Sequence, residues 1–173
     1  MNYFEQETHY TCAVACFRMM LDHFGMPVPA EADLAAQLGT NDVVGTHPDA
    51  LVALGKEYGL CVSSGENGDL DTLQAVVDAG GVVMLMISVD VPHIVVFLGH
   101  NGNHVRFNDP YFGEDMSRQI KNFVSEKQKY PHFRWRIKQA DFWKYLPAQH
   151  DFTDQESTRG YIVFTKTLLA KLV

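Results

Sequence analysis

The sequence predicts an α+β fold, with helices gathered in the first half of the chain and an antiparallel sheet in the second. Two observations predict it. Apolar or amphipathic stretches of helical length, each stopped by glycine, fill most of residues 12–80, and a glycine pair then gives way to short apolar runs joined by turn residues. The chain has 173 residues, 46% of them hydrophobic and 12% aromatic, enough for one sizeable core, so residues 1–173 are expected to form a single domain.

Thr11-Cys12 opens a helix that runs through Ala13, Val14, Phe17, Met20, Leu21 and Phe24 and stops at Gly25, with Pro27 beyond. It is apolar on most sides and should be buried. A short helix is expected over residues 30–38, ahead of Gly39, and another from Thr46, read as an N-cap before Pro48, to Tyr58 before Gly59. Asp69 is placed to cap a helix over residues 70–79, ended by Gly80-Gly81. The continuous run Val82-Val83-Met84-Leu85-Met86-Ile87 reads as a buried strand. Residues 93–98 and 104–108 form a hairpin through Gly99-His100-Asn101-Gly102-Asn103, which is turn chemistry. Residues 116–128 and 139–146 read as later helices, and residues 161–164 as a last strand that could close the sheet.

Composition excludes several classes. A net charge of −7 argues against general binding to a phosphate backbone, so nucleic acid is not an expected partner. No run of about eighteen apolar residues is present to span a bilayer, and no basic segment leads into an apolar stretch at the N-terminus. Three cysteines without a CxxC pair fit neither a disulfide framework nor a zinc ribbon; free thiols and a cytoplasmic location are expected. Residues 114–144 carry eight basic side chains (Arg118, Lys121, Lys127, Lys129, Arg134, Arg136, Lys138, Lys144) against four acidic ones. Such a run is more often a solvated helix face than a docking surface, though an acidic partner would fit it.

Chemistry enters with Cys12. A cysteine in the first turn of a helix faces about half a positive elementary charge, which favours thiolate over thiol. A lone cysteine of this kind is more often ordinary core, but a base and an orienting acid are within reach by hairpin geometry. His93 and Asp109 each lie eight positions from Asn101 in the turn, so they should face each other, or nearly, on one side of the sheet. A carboxylate opposite an imidazole keeps one ring nitrogen protonated and leaves the other free to take the thiol proton. Gln6, six residues before Cys12, can fold back over the helix N-terminus and donate, with the Cys12 N–H, to a developing oxyanion. Other candidates are weaker. His9 is the rival base but has no orienter nearby. Cys16, one turn after Cys12, is either core or a resolving thiol. Cys61 reads as core. His100 and His104 straddle a turn and lack the further ligands a metal needs, so no metal is expected. Trp135 and Trp143 read as anchors of the later helices more readily than as groove residues.

Gln6-x5-Cys12, followed by Ala13-x-Ala15-Cys16-x-x-Met19-x-Leu21-x-x-Phe24-Gly25, resembles the opening of the bacteriocin-processing, double-glycine-leader peptidase family of papain-like cysteine proteases. Gly45-Thr46-x-Pro48 with Leu51 and Tyr58-Gly59-Leu60 resembles that family's middle helix. The helix over residues 70–79 and Gly81-Val82-Val83 resemble its approach to the central strand. His93-x-Val95-Val96-x-x-Gly99 and Asn108-Asp109-Pro110 resemble its His and Asp strands. The resemblance implies a papain-like fold, Cys12, His93 and Asp109 as a triad, Gln6 as the oxyanion glutamine, and a bacterial role in leader-peptide processing. The chain departs from the pattern at Ala13, often glycine there, and in residues 114–136, which look longer than usual. No transporter or nucleotide-binding domain follows within the sequence, so a stand-alone domain is expected.

The function expected on these grounds is a cysteine peptidase that cleaves a peptide or amide bond of a peptide or protein substrate through a thioester acyl-enzyme, with no cofactor. A thiol-dependent acyltransferase or transpeptidase of the same fold is the first rival, since the nucleophile does not choose the second acceptor. A non-catalytic binding module is the second, although such a module has no need of all four site residue types.

Overall fold

The computed structural model describes residues 1–65, 69–88, 92–119 and 161–166. It is the expected α+β fold. In chain order the elements are α1 (Cys12–His23), α2 (Glu31–Gln37), α3 (Pro48–Glu57), β1 (Cys61–Gly65), α4 (Leu70–Asp78), β2 (Val82–Ser88), β3 (Pro92–His100), β4 (His104–Asp109), β5 (Gly113–Gln119) and β6 (Tyr161–Thr165). The six strands form one antiparallel sheet in the order β1-β6-β2-β3-β4-β5.

The glycine stops work by a common device. All four described helices end on a glycine of positive φ (Gly25, Gly39, Gly59, Gly80), and the next N–H reaches five residues back: Met26 to Leu21, Thr40 to Ala35, Leu60 to Gly55, Gly81 to Val76. These bonds satisfy carbonyls that the helix itself leaves open. Asp69 caps α4 as expected, its side chain accepting from the Thr72 N–H at 3.0 Å. The cap of α3 is His47 rather than Thr46: its Nδ1 accepts from the Asp49 N–H at 3.2 Å, while the Thr46 hydroxyl pairs with that of Thr40.

Two apolar layers sandwich the sheet. On one face, Phe17, Met20 and Leu21 of α1 pack with Leu34, Leu51 and Leu54 of α2 and α3 against Val82, Met84, Ile94, Val96, Ile162 and Phe164. On the other, Leu73 and Val76 of α4 meet Val83, Leu85, Val95, Phe97, Phe107 and Val163. Neighbours along β2 and β3 thus alternate between the layers, as strand geometry requires. Helix α1 is enclosed, with Ala13 to Phe17 all 1% exposed or less, which fixes the direction of its first residue.

Two further expectations differ from the structure. Residues 116–119 belong to strand β5, not to a helix. Their polar composition suits a helix, but the Arg106 guanidinium forks onto Asp115 at 2.9 and 3.0 Å and the Asn108 side chain accepts from the Asp115 N–H, so this segment is held to the edge of β4. The last strand does not close an edge; β6 inserts between β1 and β2. The helix expected over residues 139–146, the two tryptophans and most of the basic run lie outside the described residues.

Gly55 tests the tightness of the first layer. A Cβ there would stand 2.7 Å from Cε1 of Phe164, which is fully buried, and 2.9 Å from Cγ2 of Val62. Alanine would gain about 1 kcal/mol of helix propensity, but overpacking costs about 1–3 kcal/mol. Gly55→Ala is therefore expected to lower the Tm by a few degrees in a calorimetric scan, and an increase would mean that the ring yields without cost.

Candidate active site

Three elements deliver three side chains to one place. Cys12 is the first residue of α1 and is half-buried, unlike the residues that follow it. His93 lies at the start of β3, 5% exposed, and Asp109 ends β4, with no exposure. His93 Nε2 and Asp109 Oδ1 are 2.7 Å apart.

The pair forms on the expected side of the sheet, though not as direct cross-strand partners. Near the turn His100 faces Val105 and Gly99 faces Arg106, but a bulge follows, after which Phe97 faces Phe107 and Val96 faces Asn108. One more step along that ladder sets residue 95, not 93, opposite Asp109. The offset of two keeps the same side of the sheet and remains within reach of an imidazole. Gly99 makes the bulge possible: its φ is +135°, and a Cβ there would stand 2.6 Å from Oε1 of Gln74. That oxygen accepts from the His100 N–H at 2.8 Å, so α4 holds the bulge in place.

Asp109 is held as a carboxylate. Burial, the largest influence on it, pushes its pKa up, but the hydrogen bond and charge of His93, with the N–H groups of Tyr111 and Phe112, more than offset this and leave it lowered. All three donors converge on Oδ1, at 2.7, 3.0 and 3.1 Å, and buried Oδ2 has no hydrogen-bond partner among the described residues. An ionised Oδ1 requires the proton on Nε2, which leaves Nδ1 as the second ring nitrogen. For His93 too, burial is the largest influence and pushes the pKa down. The hydrogen bonds to Asp109 and Cys12 and the negative charges of both outweigh it and raise the value to about 9. The ring is thus an imidazolium at neutral pH.

Gln6 sits beside this pair. Its backbone N–H donates to the carbonyl of Pro110 at 3.0 Å, which ties it to the turn after Asp109. Its side-chain Nε2 donates to the Thr8 carbonyl at 2.6 Å, so one of its two hydrogens is engaged within the loop; Oε1 is buried without a partner among the described residues.

The remaining candidates separate from this group. Cys16 is fully buried, its thiol donates to the Ile94 carbonyl at 3.2 Å, and burial, with the nearby Cys12 and Asp109 charges, holds its pKa well above the ordinary thiol range. It is fixed as a core thiol. His9 is exposed and packs edge-on to Tyr10. His100 pairs with Asp71 at 3.0 Å. Among the described residues no group of three His, Cys, Asp or Glu could hold a metal ion.

A profile of the peptidase C39-like family matches residues 1–139. The chain belongs to this family. Membership supports a cysteine peptidase, and the fold recurs in solved members. The peptidase domain of Streptococcus ComA, a bi-functional ABC transporter involved in a quorum-sensing pathway, aligns with TM-score 0.59 and 22% identity over 72% of this chain and 91% of that one. A double-glycine-motif protease from an AMS/PCAT transporter, solved in complex with its leader peptide, gives 0.57 and 19% over 72% and 83%. A C39-like peptidase from Bacillus anthracis gives 0.61 and 15% over 96% and 94%. No curated protein matches the sequence. No described helix is long and apolar enough to cross a membrane.

Sequence reasoning missed the residues that fasten the Gln6 loop. Glu31, 2% exposed, accepts from the Glu7 N–H at 2.8 Å and lies 3.5 Å from Arg18, whose guanidinium covers the Phe4 ring. Thr11 receives the next N–H, that of Thr8, on its hydroxyl at 3.1 Å. The Tyr3 hydroxyl donates to the Asp109 carbonyl at 2.8 Å. A buried glutamate at the start of a short helix has no signature in sequence, because α2 reads as an ordinary surface helix. Only the threonine next to the cysteine offered a local hint.

Proposed function

We propose that this protein is a cysteine peptidase acting through Cys12, His93 and Asp109, with one domain spanning residues 1–173. The observation that carries the reading is the buried 2.7 Å hydrogen bond from His93 Nε2 to Asp109 Oδ1, with the imidazolium next to a half-exposed sulfur at a helix N-terminus. The Cys12 thiolate attacks a peptide carbonyl, and the Cys12 N–H and the free hydrogen of Gln6 Nε2 donate to the oxyanion. His93 Nδ1 gives its proton to the leaving amine, which departs and leaves a thioester. The neutral ring then takes a proton from water as it attacks the thioester, and the acid is released. Asp109 keeps Nε2 protonated throughout, so the working nitrogen is always Nδ1.

We infer a peptide substrate cut after a double glycine and processed in the bacterial cytoplasm; the leader peptide held by the double-glycine-motif protease of similar fold supports a peptide substrate. The test is incubation with a synthetic leader peptide bearing such a site, followed by mass spectrometry, with Cys12→Ala alongside. Cleavage after the glycines by the parent and none by the variant is expected. Added hydroxylamine separates the rival: hydroxamate formed only in proportion to its trapping of the thioester supports hydrolysis, whereas dependence of turnover on an added amine would favour a transferase. Equal effects of parent and variant in every assay would leave a binding module.

A further inference from the structure

Helix α1 starts without its ordinary cap. Thr11 stands at the N-cap, where a threonine hydroxyl usually accepts from an N–H of the first turn; here no side-chain cap bond forms. The hydroxyl turns back instead. Thr11 Oγ1 accepts from the Thr8 N–H at 3.1 Å, lies 3.0 Å from Thr8 Oγ1, and donates to the Thr8 carbonyl at 3.1 Å. That same carbonyl oxygen takes the Gln6 Nε2–H at 2.6 Å, and the Thr11 backbone N–H reaches it at a longer 3.4 Å, so the shorter hydroxyl bond is the side-chain part of the tie. Thr11 is 3% exposed, so water does not compete for these bonds.

Two consequences follow. Among the described residues, no side chain accepts from the first-turn amides of α1, that of Cys12 among them. The Thr8 carbonyl is locked in direction, and with it the plane of the Gln6 carboxamide. Successive N–H groups of the loop are tied to three different elements: Gln6 to the Pro110 carbonyl, Glu7 to Glu31, Thr8 to Thr11. Only the tie to Thr11 also holds the acceptor of the Gln6 side chain.

We propose that Thr11 is a positioning residue for oxyanion stabilisation, acting through the Thr8 carbonyl to hold the second hydrogen of Gln6 Nε2 toward the reacting carbonyl. This rests on the reading of Cys12 as nucleophile and Gln6 as oxyanion donor. It predicts a split between two reactions of the same sulfur. Attack on an ester creates an oxyanion; displacement of iodide from iodoacetamide creates none.

The experiment measures, at one pH, the Cys12-dependent burst of p-nitrophenolate from p-nitrophenyl acetate and the rate of Cys12 alkylation by iodoacetamide. Thr11→Val is expected to slow the burst by roughly tenfold, as partial loss of one oxyanion donor should, with alkylation within twofold of the parent. Thr11→Ser, which restores the hydroxyl, should recover most of the loss, and in a Gln6→Ala background Thr11→Val should cost nothing further. Thr11→Ala serves if the valine variant does not fold. An unchanged burst, an equal loss in both reactions, or losses that multiply with Gln6→Ala would each overturn the assignment. Absence of any Cys12-dependent burst in the parent would instead overturn the nucleophile reading, and this inference with it.

Discussion

Replacing His93 by alanine is expected to lower the rate of Cys12 alkylation at pH 6 by roughly a hundredfold. The reason is electrostatic. With a pKa raised to about 9 the ring stays protonated at pH 6, and its positive charge stands beside the sulfur. A cysteine thiol without such a partner, with pKa about 8.5, is ionised to only about 0.3% at that pH. Cys16 is the internal control. Buried, bonded to the Ile94 carbonyl and with its pKa well raised, it should stay unmodified in both proteins. Peptide mapping after a timed pulse of iodoacetamide gives both rates. If Cys12 reacts equally fast in His93→Ala, no functional Cys–His pair exists. The same charge sets an upper limit on activity: because the folded pKa is raised, the imidazolium is present below about pH 9 and is lost above it, so kcat/KM should fall as pH rises through that value.

The second large effect concerns Asp109, where two substitutions should part company. Asp109→Ala removes the acceptor of His93 and of the Tyr111 and Phe112 amides together. A loss in kcat/KM of about 10³ or more is expected, in line with loss of an orienting carboxylate elsewhere. Asp109→Asn should be far milder, about tenfold. A carboxamide can usually present its NH₂ to the histidine and so force the wrong tautomer. Here two backbone donors already fix an acceptor at the Oδ1 position, so the amide oxygen must lie there and Nε2 must keep its proton. The negative charge is nevertheless gone, and it helped to raise the His93 pKa. The high-pH limb of the kcat/KM profile should therefore move down from about 9 in Asp109→Asn. A limb that stays in place would mean that another group titrates there.

Local patterns in the sequence were enough to place the four described helices, their glycine stops and the buried strands. These features are local. A glycine after an amphipathic turn, an Asp three residues before Thr72, or an unbroken run from Val82 to Ile87 speaks through its near neighbours alone. The cysteine at a helix start and the His and Asp on hairpin strands were legible for the same reason, and family resemblance joined them.

The tertiary structure decided what depends on distant partners. It inserted β6 between β1 and β2, a pairing made across about a hundred residues of chain that no local pattern encodes. It turned residues 116–119 into an edge strand, since pairing with β4 outweighed their helical composition. It centred the turn between Gly102 and Asn103 rather than on Asn101, and the bulge beside Gly99 then brought the register back by one, so that His93 reaches Asp109 along a diagonal. Around Cys12 it turned the Thr11 hydroxyl from the helix it would ordinarily cap to the loop of Gln6, because Glu31, Pro110 and Thr8 bring that loop within hydrogen-bonding distance. A sequence states which groups can form hydrogen bonds; only the packed chain selects which bonds they make.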